Sequence, residues 1–226
     1  MGRCAGVFAL CLGIIGTIGC GGSSSDTTQQ LRIVMASPDA TPVDILIDGT
    51  QVATSLAFTN STAYLPIKSG SRHIQALTVS NSTSVFDQTI SMTASANQTL
   101  LLTGAAAKMQ SLLLTDGATD KTITTGDGKV RAVNASQTMG PADVYIVDAG
   151  TSLAGATPTS AALAFGKTTD YTLEIIGDFQ VFMTQPGTTN VFLNTGPLDL
   201  VQSQFKTVVA VDAGGGGFNF ILLTDQ

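Results

Sequence analysis

The sequence predicts an all-β protein built from two tandem β-sandwich repeats, and three observations predict it. The chain is rich in Thr, Val, Leu and Gly, and Glu174 is its only glutamate. Glu and Lys favour helices, whereas Thr and Val favour strands. Turn signals recur about every 8–12 residues, as they do in β-sandwiches. Finally, the chain matches itself, in order, over two long stretches.

The internal match sets the domain organisation. The matched segments are Arg32–Ser37 with Arg131–Ser136, Pro42–Ile47 with Pro141–Ile146, Leu56–Phe58 with Leu163–Phe165, Tyr64 with Tyr171, Gly70 with Gly177, and Leu113–Asp116 with Leu222–Asp225. The offset grows from 99 to 109 along the chain, mostly near Gly150–Ser160, where the second copy carries about eight extra residues. We therefore assign β-sandwich repeats to residues 31–116 and 130–226, joined by a Thr/Asp/Gly-rich linker at 117–129.

The strands of each repeat are recognised by their hydrophobic patterns. Val43, Ile45 and Ile47 alternate with more polar positions, which indicates a strand with one buried face. Asp48-Gly49 then forms a tight turn. Further strands are predicted at Phe86–Met92, Thr99–Thr103, Ser111–Thr115, Thr207–Asp212 and Phe218–Thr224. Each repeat is near the roughly 100 residues of an immunoglobulin-like module. Without Trp or a core cysteine pair, this likeness is one of architecture: two tandem immunoglobulin-like β-sandwich repeats.

The N-terminus reads as an export signal. Met1-Gly2-Arg3 is short and positive, and Cys4–Ile18 is apolar but shorter than the roughly 20 residues that span a bilayer. Residues 1–19 are therefore predicted to be a signal peptide. The following Thr17-Ile18-Gly19-Cys20 resembles the bacterial lipobox, with Thr17 in place of the usual Leu. The resemblance implies that Cys20 is lipidated and becomes the anchored N-terminus.

The residues after the cysteine predict how the protein is held. Residues 20–30 comprise the lipidated Cys20 and a Gly/Ser-rich flexible tether. In Gram-negative lipoproteins, Asp directly after the cysteine retains the protein in the inner membrane. Gly21 stands there in this chain, so the resemblance implies a cell-envelope protein anchored in the outer membrane.

The first repeat also resembles a known family. Arg32–Ala40, with its Ala-Ser-Pro-Asp stretch, followed by Val43–Gly49, is similar to the opening of the "domain of unknown function 4397" family. Members occur on bacterial and archaeal envelope and secreted proteins, often in tandem. Gln137-Thr138 replaces Pro38-Asp39 in the second repeat, and Met35 and Asn134 stand where the family often has His. The resemblance implies a fold and a location rather than an activity.

Charge and cysteine content exclude several function classes. The 10 basic and 16 acidic residues give −6, and loss of Arg3 with the signal peptide gives −7. The positive residues are scattered singly, so a basic stripe for nucleic acid is absent from the sequence. The three cysteines all lie within residues 1–20. The mature domain therefore has neither a disulfide framework, nor a thiolate metal site, nor a thiol nucleophile.

Candidate catalytic and metal-binding residues are few. His73 is the only histidine, and the sequence has no Gly-x-Ser-x-Gly elbow, so a surface or edge position is expected for it. Asp39, Asp44 and Asp48 offer oxygens for calcium, but turn chemistry explains them equally well. Only Asp44 recurs, as Asp143, and we expect it to accept backbone N–H bonds.

Two further candidate sites lie outside the first strands. Asp116, Asp120 and Asp127 could clamp the repeats through calcium, although their spacing is not that of an EF-hand. Gly214–Gly217 lacks the Lys-Ser/Thr and the helix of a phosphate loop and fits a hairpin tip. Apart from the lipidation residue Cys20, the sequence assigns no catalytic, cofactor-binding or metal residue, and it predicts no enzyme.

The predicted function is a lipid-anchored, non-enzymatic binding, adhesion or structural module of the cell envelope. The alternative is recognition of a carbohydrate or cell-wall polymer by loops at one sandwich end, with the insertion near Gly150–Ser160 as the best candidate. An envelope protein is the other partner considered. Tyr64 and Tyr171 fit packing anchors better than a recognition surface. An Asp-dependent hydrolase is the remote alternative.

Overall fold

The computed structural model describes residues 1–2, 28–117 and 126–225. In these ranges seventeen strands form four sheets, and a 3-10 turn at Ala106–Lys108 is the only helical element. No helix there has the length and hydropathy needed to cross a membrane. Residues 3–19 of the predicted signal peptide, Cys20 and residues 21–27 of the tether lie outside the described residues.

The first repeat contains eight strands in two sheets. They are β1 (Thr28–Ala36), β2 (Val43–Ile47), β3 (Thr50–Leu56), β4 (Leu65–Lys68), β5 (Gly70–Thr78), β6 (Ser84–Met92), β7 (Gln98–Thr103) and β8 (Gln110–Thr115). The outer sheet has the order β3-β2-β5-β6, and the inner sheet has the order β4-β1-β7-β8. Within the inner sheet, β1 is parallel to β7 and antiparallel to β4.

The second repeat has the same plan. Its strands are β9 (Asp127–Asn134), β10 (Ala142–Asp148), β11 (Ser160–Leu163), β12 (Thr172–Ile175), β13 (Gly177–Thr184), β14 (Val191–Asn194), β15 (Leu198–Leu200), β16 (Phe205–Asp212) and β17 (Phe218–Asp225). The inner sheet is β12-β9-β16-β17, with β9 parallel to β16, and the outer sheet is β11-β10-β13-β14, with β15 added on β13. The predicted all-β fold of two tandem sandwiches is confirmed.

Each sandwich closes around its own apolar core. In the first repeat, Leu31 and Ile33 of the inner sheet pack with Ile45 and Ile74 of the outer sheet, and all four are fully buried. The second repeat places Val130 and Val208 opposite Val144 and Val181 in the same way. Burial of these side chains is the main force that closes each pair of sheets.

The two inner sheets also pack on each other. Successive side chains of a strand point to opposite faces. Val34 and Leu101 therefore turn away from the first core and meet Val133 and Val209 of the second repeat, and these four side chains are fully buried. The layers run outer, inner, inner, outer, with three apolar cores between them. Because the inter-repeat core is apolar and continuous, we expect the two sandwiches to behave as one rigid body.

Two predicted boundaries require correction. The tether was expected to extend to residue 30, but β1 begins at Thr28 because residues 28–31 pair with β4, and Gln29 is 4% exposed. The linker was expected to extend to residue 129, but β9 begins at Asp127 because residues 127–130 pair with β12. In both cases polar residues that read as linker are held by the backbone ladder of a neighbouring strand.

Candidate functional site

Two arginines reach across the interface between the repeats. Arg32 of β1 donates from Nη2 to Asp225 Oδ1 at 2.5 Å and from Nη1 to the Thr224 carbonyl oxygen at 2.8 Å. Arg131 of β9 mirrors it, donating to Asp116 Oδ1 at 2.8 Å and to the Thr115 carbonyl oxygen at 2.7 Å. Each arginine of one repeat is thus paired with the last strand of the other.

Each aspartate is held in turn by its own repeat. Asp116 accepts hydrogen bonds from Tyr64 at 2.7 Å and from Thr99 at 2.5 Å. In the second repeat Asp225 accepts the equivalent bonds from Tyr171 and Thr207, at 2.7 and 2.5 Å. The guanidinium carbons lie 4.7 and 4.5 Å from the ring centroids of Tyr64 and Tyr171, which adds a cation–π contact on each side. We call these eight residues the inter-repeat cluster: Arg32, Tyr64, Thr99, Asp116, Arg131, Tyr171, Thr207 and Asp225.

The cluster is buried and its two positive charges match its two negative charges. The side chains of Asp116 and Asp225 have no exposed surface. Burial and the nearby Asp225 carboxylate raise the pKa of Asp116, and hydrogen bonds from Thr99 and Tyr64 oppose the rise. Burial also raises the pKa of both tyrosines, so they remain donors. With its polar groups committed to one another, the cluster fits a structural role rather than a catalytic one.

The inter-repeat cluster was missed in the sequence. Arg32 counted there as one of several scattered positive residues, yet in the folded chain it lies beside Asp225 and within 3.8 Å of Asp116. The interpretation of Tyr64 and Tyr171 as packing anchors is confirmed, because both are held against an arginine and an aspartate. The repeat alignment matched the Arg, Tyr and Asp residues of both copies, but it gave no sign that they meet across the interface.

A polar cleft opens along one edge of the second sandwich. It lies where β11 of the outer sheet and β12 of the inner sheet leave the edge open, and its volume is about 230 Å³. Its lining residues all bear a hydroxyl group or, in one case, a carboxylate: Thr159, Ser160, Thr168, Thr169, Asp170 and Thr172. The insertion between β10 and β11 ends on this edge, so the candidate loop singled out by the repeat alignment supplies one wall.

The hydroxyls of the cleft differ in what they still offer. Thr169 accepts from Ala132 N and donates to the Asp170 carbonyl oxygen, so it is fully committed. Thr159 accepts from Ile146 N, which leaves its hydroxyl hydrogen available. Asp170 is exposed, and within the described ranges its carboxylate has no hydrogen bond or ion pair. The cleft therefore presents donors and one anionic acceptor to a ligand.

Glu174 lies two residues beyond Thr172 on the same face of β12. Partial burial raises the pKa of Glu174 to about 7, and the carboxylate of Asp148 at the end of β10 adds to the rise. This end of the sandwich edge therefore gains negative charge as the pH rises through neutrality.

The other candidate residues do not converge on a site. His73 is on the exposed face of β5, where its Nε2 lies 2.6 Å from Asp87 Oδ1, and no hydroxyl hydrogen bonds to its ring in the described part of the chain. The prediction that Asp44 and Asp143 accept backbone N–H bonds is confirmed. Asp44 accepts from Ser55 at 2.9 Å, and Asp143 accepts from Ala162 and Gly187, both at 2.7 Å.

The proposed calcium ligands are engaged elsewhere. Asp39 accepts from Ala106 N at 2.9 Å, and Asp48 accepts from His73 N at 2.9 Å. Asp116 belongs to the inter-repeat cluster, Asp127 begins β9, and Asp120 lies outside the described residues. Among residues 28–117 and 126–225, no group of three or more His, Cys, Asp or Glu side chains is placed to hold a metal ion.

The glycine run Gly214–Gly217 lies at the tip between β16 and β17, as the sequence predicts. Gly216 and Gly217 have φ values of +92° and +79°, which side chains rarely adopt. The run is therefore explained by the hairpin turn.

Comparison with solved structures finds distant β-sandwich likenesses. A carbohydrate-binding module of family CBM26 from Eubacterium rectale Amy13K, in complex with maltoheptaose, matches at 10% identity over 86% of this chain and 96% of that chain, with a TM-score of 0.29. A second structure, described as alpha-glucan binding by a streptococcal virulence factor, matches at 10% identity over 80% and 92%, with a TM-score of 0.27. Likenesses this weak have no bearing on the ligand of this chain.

Comparison with protein families gives a definite answer, whereas no curated protein matches the chain significantly. The family described as Domain of unknown function (DUF4397) matches residues 29–145. This range spans the whole first repeat and continues through β9 into β10, just over half of the chain, and it includes both arginines of the inter-repeat cluster. The chain therefore belongs to the Domain of unknown function (DUF4397) family.

Proposed function

We propose that this protein is a lipid-anchored, non-enzymatic binding module of the cell envelope that recognises a carbohydrate or cell-wall polymer at the edge of its second sandwich. The observation that carries the proposal is the polar cleft beside the β10–β11 insertion. Binding sites are commonly built from loops held on a rigid scaffold, and the inter-repeat core provides such a scaffold here.

The chemistry of the cleft supports binding rather than turnover. General acid–base and nucleophilic catalysis need a base within hydrogen-bonding reach of the group it activates. The cleft contains hydroxyls and the carboxylate of Asp170, while the histidine lies in the first repeat, paired with Asp87. Hydroxyl and carboxylate groups suit a ligand that offers many hydroxyls, as saccharides do.

The insertion gives a direct test of polymer binding. Deleting residues 151–158 from the mature chain shortens the β10–β11 connection to the length of its first-repeat equivalent, so the fold should persist. We expect the intact mature chain, with Cys20→Ala to keep it soluble, to co-sediment with at least one of peptidoglycan, chitin, cellulose or starch granules. The deletion should weaken that binding at least about tenfold, because it removes the segment that leads into Thr159 and Ser160 and so displaces these two lining residues.

The matched control deletes Gly215 and Gly216 from the β16–β17 tip, which should leave binding unchanged. Circular dichroism and thermal midpoints verify folding of each variant. If none of these polymers retains the intact chain, the proposed polymer recognition is wrong. If the insertion deletion binds as well as the intact chain, the site has been placed on the wrong loop.

Anchoring through Cys20 is a separate part of the proposal. One acyl chain holds a protein only marginally, whereas two or three hold it stably. Cys20→Ala should therefore abolish incorporation of labelled palmitate and move an epitope-tagged chain out of the outer-membrane fraction. Cys11→Ala, within the predicted signal peptide, is the control and should retain both the label and the location. Retention of label by Cys20→Ala would contradict the proposed anchor.

Protease treatment of intact cells then separates two orientations of the anchored protein. Loss of a C-terminal tag from intact cells would indicate an outward-facing domain and an extracellular ligand. Protection until lysis would indicate a periplasmic domain, for which a cell-wall polymer is the expected ligand.

A further inference from the structure

The strand registers identify which first-repeat residues correspond to the cleft. Thr172 pairs with Val130 of β9, as Leu65 pairs with Leu31 of β1, so Thr172 and Leu65 are equivalent. Thr169 accepts a hydrogen bond from the backbone N–H of Ala132, as Thr62 accepts one from Ile33, so Thr169 is equivalent to Thr62. The next residues along the chain, Asp170 and Ala63, are therefore equivalent as well. The two repeats can therefore be compared position by position along this edge.

A second register extends the comparison to the other wall. Ser160 pairs with Val144 of β10, as Ala53 pairs with Ile45 of β2, so Ser160 corresponds to Ala53. The residue before each of these gives the equivalence of Thr159 with Val52. Val52 and Ala53 pack against the core of the first repeat. On this wall the first repeat therefore carries apolar, core-packed side chains where the second repeat carries Thr159 and Ser160.

The polar edge of the second repeat is therefore not required by the fold. The first repeat has Val52 and Ala53, which pack against its core, the exposed Ala63 and the partly buried Leu65 at the positions where the second repeat has Thr159, Ser160, Asp170 and Thr172. The two repeats also differ two residues further along this edge strand. Ile67, 7% exposed in the first core, has the half-buried Glu174 as its counterpart. If this edge served only to complete the core, we would expect apolar residues at these positions in both repeats.

The size and chemistry of the cleft limit what it can bind. Its volume of about 230 Å³ is below the roughly 300–1,000 Å³ of pockets for drug-sized ligands, so it suits one small polar unit. None of the lining residues is aromatic, and Tyr171 is held in the inter-repeat cluster. Recognition must therefore rely on hydrogen bonds rather than on stacking against a ring.

The charge of the cleft further restricts the ligand. Asp170 lines it without a cationic partner among the described residues, and Asp148 and Glu174 lie further along the same edge. A carboxylate accepts well from adjacent hydroxyl groups but repels another carboxylate. The free hydroxyl of Thr159 adds a donor that a sugar oxygen can accept.

We propose that this cleft is a subsite for one non-acidic sugar unit, in which Asp170 accepts hydrogen bonds from sugar hydroxyls and Thr159, Ser160 and Thr172 surround them. The proposal rests on the proposed carbohydrate-binding function and names its ligand class. Acidic sugars are excluded because their carboxylate would face Asp170. Because Ala63 and Leu65 stand in place of Asp170 and Thr172, we expect the first repeat to lack this subsite.

The test replaces the polar lining by its first-repeat counterparts. The mature chain is titrated calorimetrically with soluble glucose and glucosamine oligomers and with oligogalacturonate as the acidic probe. We expect binding of at least one non-acidic oligomer and about tenfold weaker or undetectable binding of the acidic one. Ser160→Ala/Asp170→Ala/Thr172→Leu should abolish binding, and because the first repeat carries these same residues on an equivalent backbone, the variant should fold.

Asp170→Asn separates recognition from packing. It should weaken the preferred oligomer about tenfold, since one charged hydrogen bond is lost, and reduce the discrimination against oligogalacturonate. Asp178→Asn removes one negative charge at an exposed position of β13 outside the cleft and should change neither. If the intact chain binds none of these oligomers but co-sediments with a polysaccharide, the subsite is wrong while polymer recognition stands. Binding of the oligomers that survives both cleft variants likewise overturns the subsite alone.

Discussion

Leu101→Ala should lower the free energy of unfolding by about 2–5 kcal/mol, the same range as Leu100→Ala, the ordinary cost of truncating a buried leucine. The two residues are neighbours on β7 and both are fully buried. Leu100 faces the core of the first sandwich, whereas Leu101 faces the inner sheet of the second repeat. Urea denaturation of both variants measures these losses, provided that the denaturant dependence of the free energy is the same for each variant.

This comparison distinguishes one cooperative body from two independent sandwiches. If the repeats unfolded independently, Leu101 would lie on a dispensable surface, and its truncation would cost under about 0.5 kcal/mol. Two separate unfolding transitions would lead to the same conclusion. Equal costs and a single transition are expected from the apolar interface between the inner sheets.

Arg32→Met should destabilise the protein by about 3–5 kcal/mol, because it leaves the buried carboxylate of Asp225 without its closest cation. Methionine keeps most of the aliphatic volume of arginine, so the loss reports charge and hydrogen bonds rather than a cavity. The matched control is Arg72→Met. Arg72 pairs with the partly exposed Asp48 at 2.9 Å, and an exposed pair is worth at most about 1 kcal/mol.

A double-mutant cycle assigns the effect to the ion pair. Asp225→Asn removes the charge but keeps an oxygen to accept from Tyr171 and Thr207. Arg32→Met combined with Asp225→Asn should therefore be more stable than the sum of the two single losses predicts. Strictly additive losses in urea denaturation would show that Arg32 and Asp225 are not coupled.

The strands and their grouping into two sandwiches could be predicted because local pattern determines them. The alternation of Val43, Ile45 and Ile47 matches the buried face of β2. The packing of the two inner sheets was harder to predict: every position of β7 is buried, and every position of β9 except Asp127. Strands buried on both faces lie between two packed layers, but the buried Lys129, Arg131 and Asn134 of β9 are polar, so the sequence of this strand does not indicate its burial.

The inter-repeat cluster and the cleft could be predicted only in part, because they depend on pairings between distant segments. The repeat alignment placed Arg32 with Arg131 and Asp116 with Asp225, but it could not show that each arginine crosses to the other repeat. The insertion indicated one wall of the cleft. Asp170 and Thr172 reach that wall only through the pairing of β12 with β9, a register that the sequence leaves open.

The contacts between the repeats are reciprocal: Arg32 reaches Asp225 as Arg131 reaches Asp116. Geometry of this kind is that of a two-fold symmetric dimer interface. In a true homodimer every substitution would appear twice, and both outer edges would always carry the same chemistry. Covalent joining removes that constraint while keeping the symmetric centre. One edge can then keep apolar residues while the other acquires polar ones. The molecule gains this asymmetry and keeps the reciprocal contacts that hold its two repeats together.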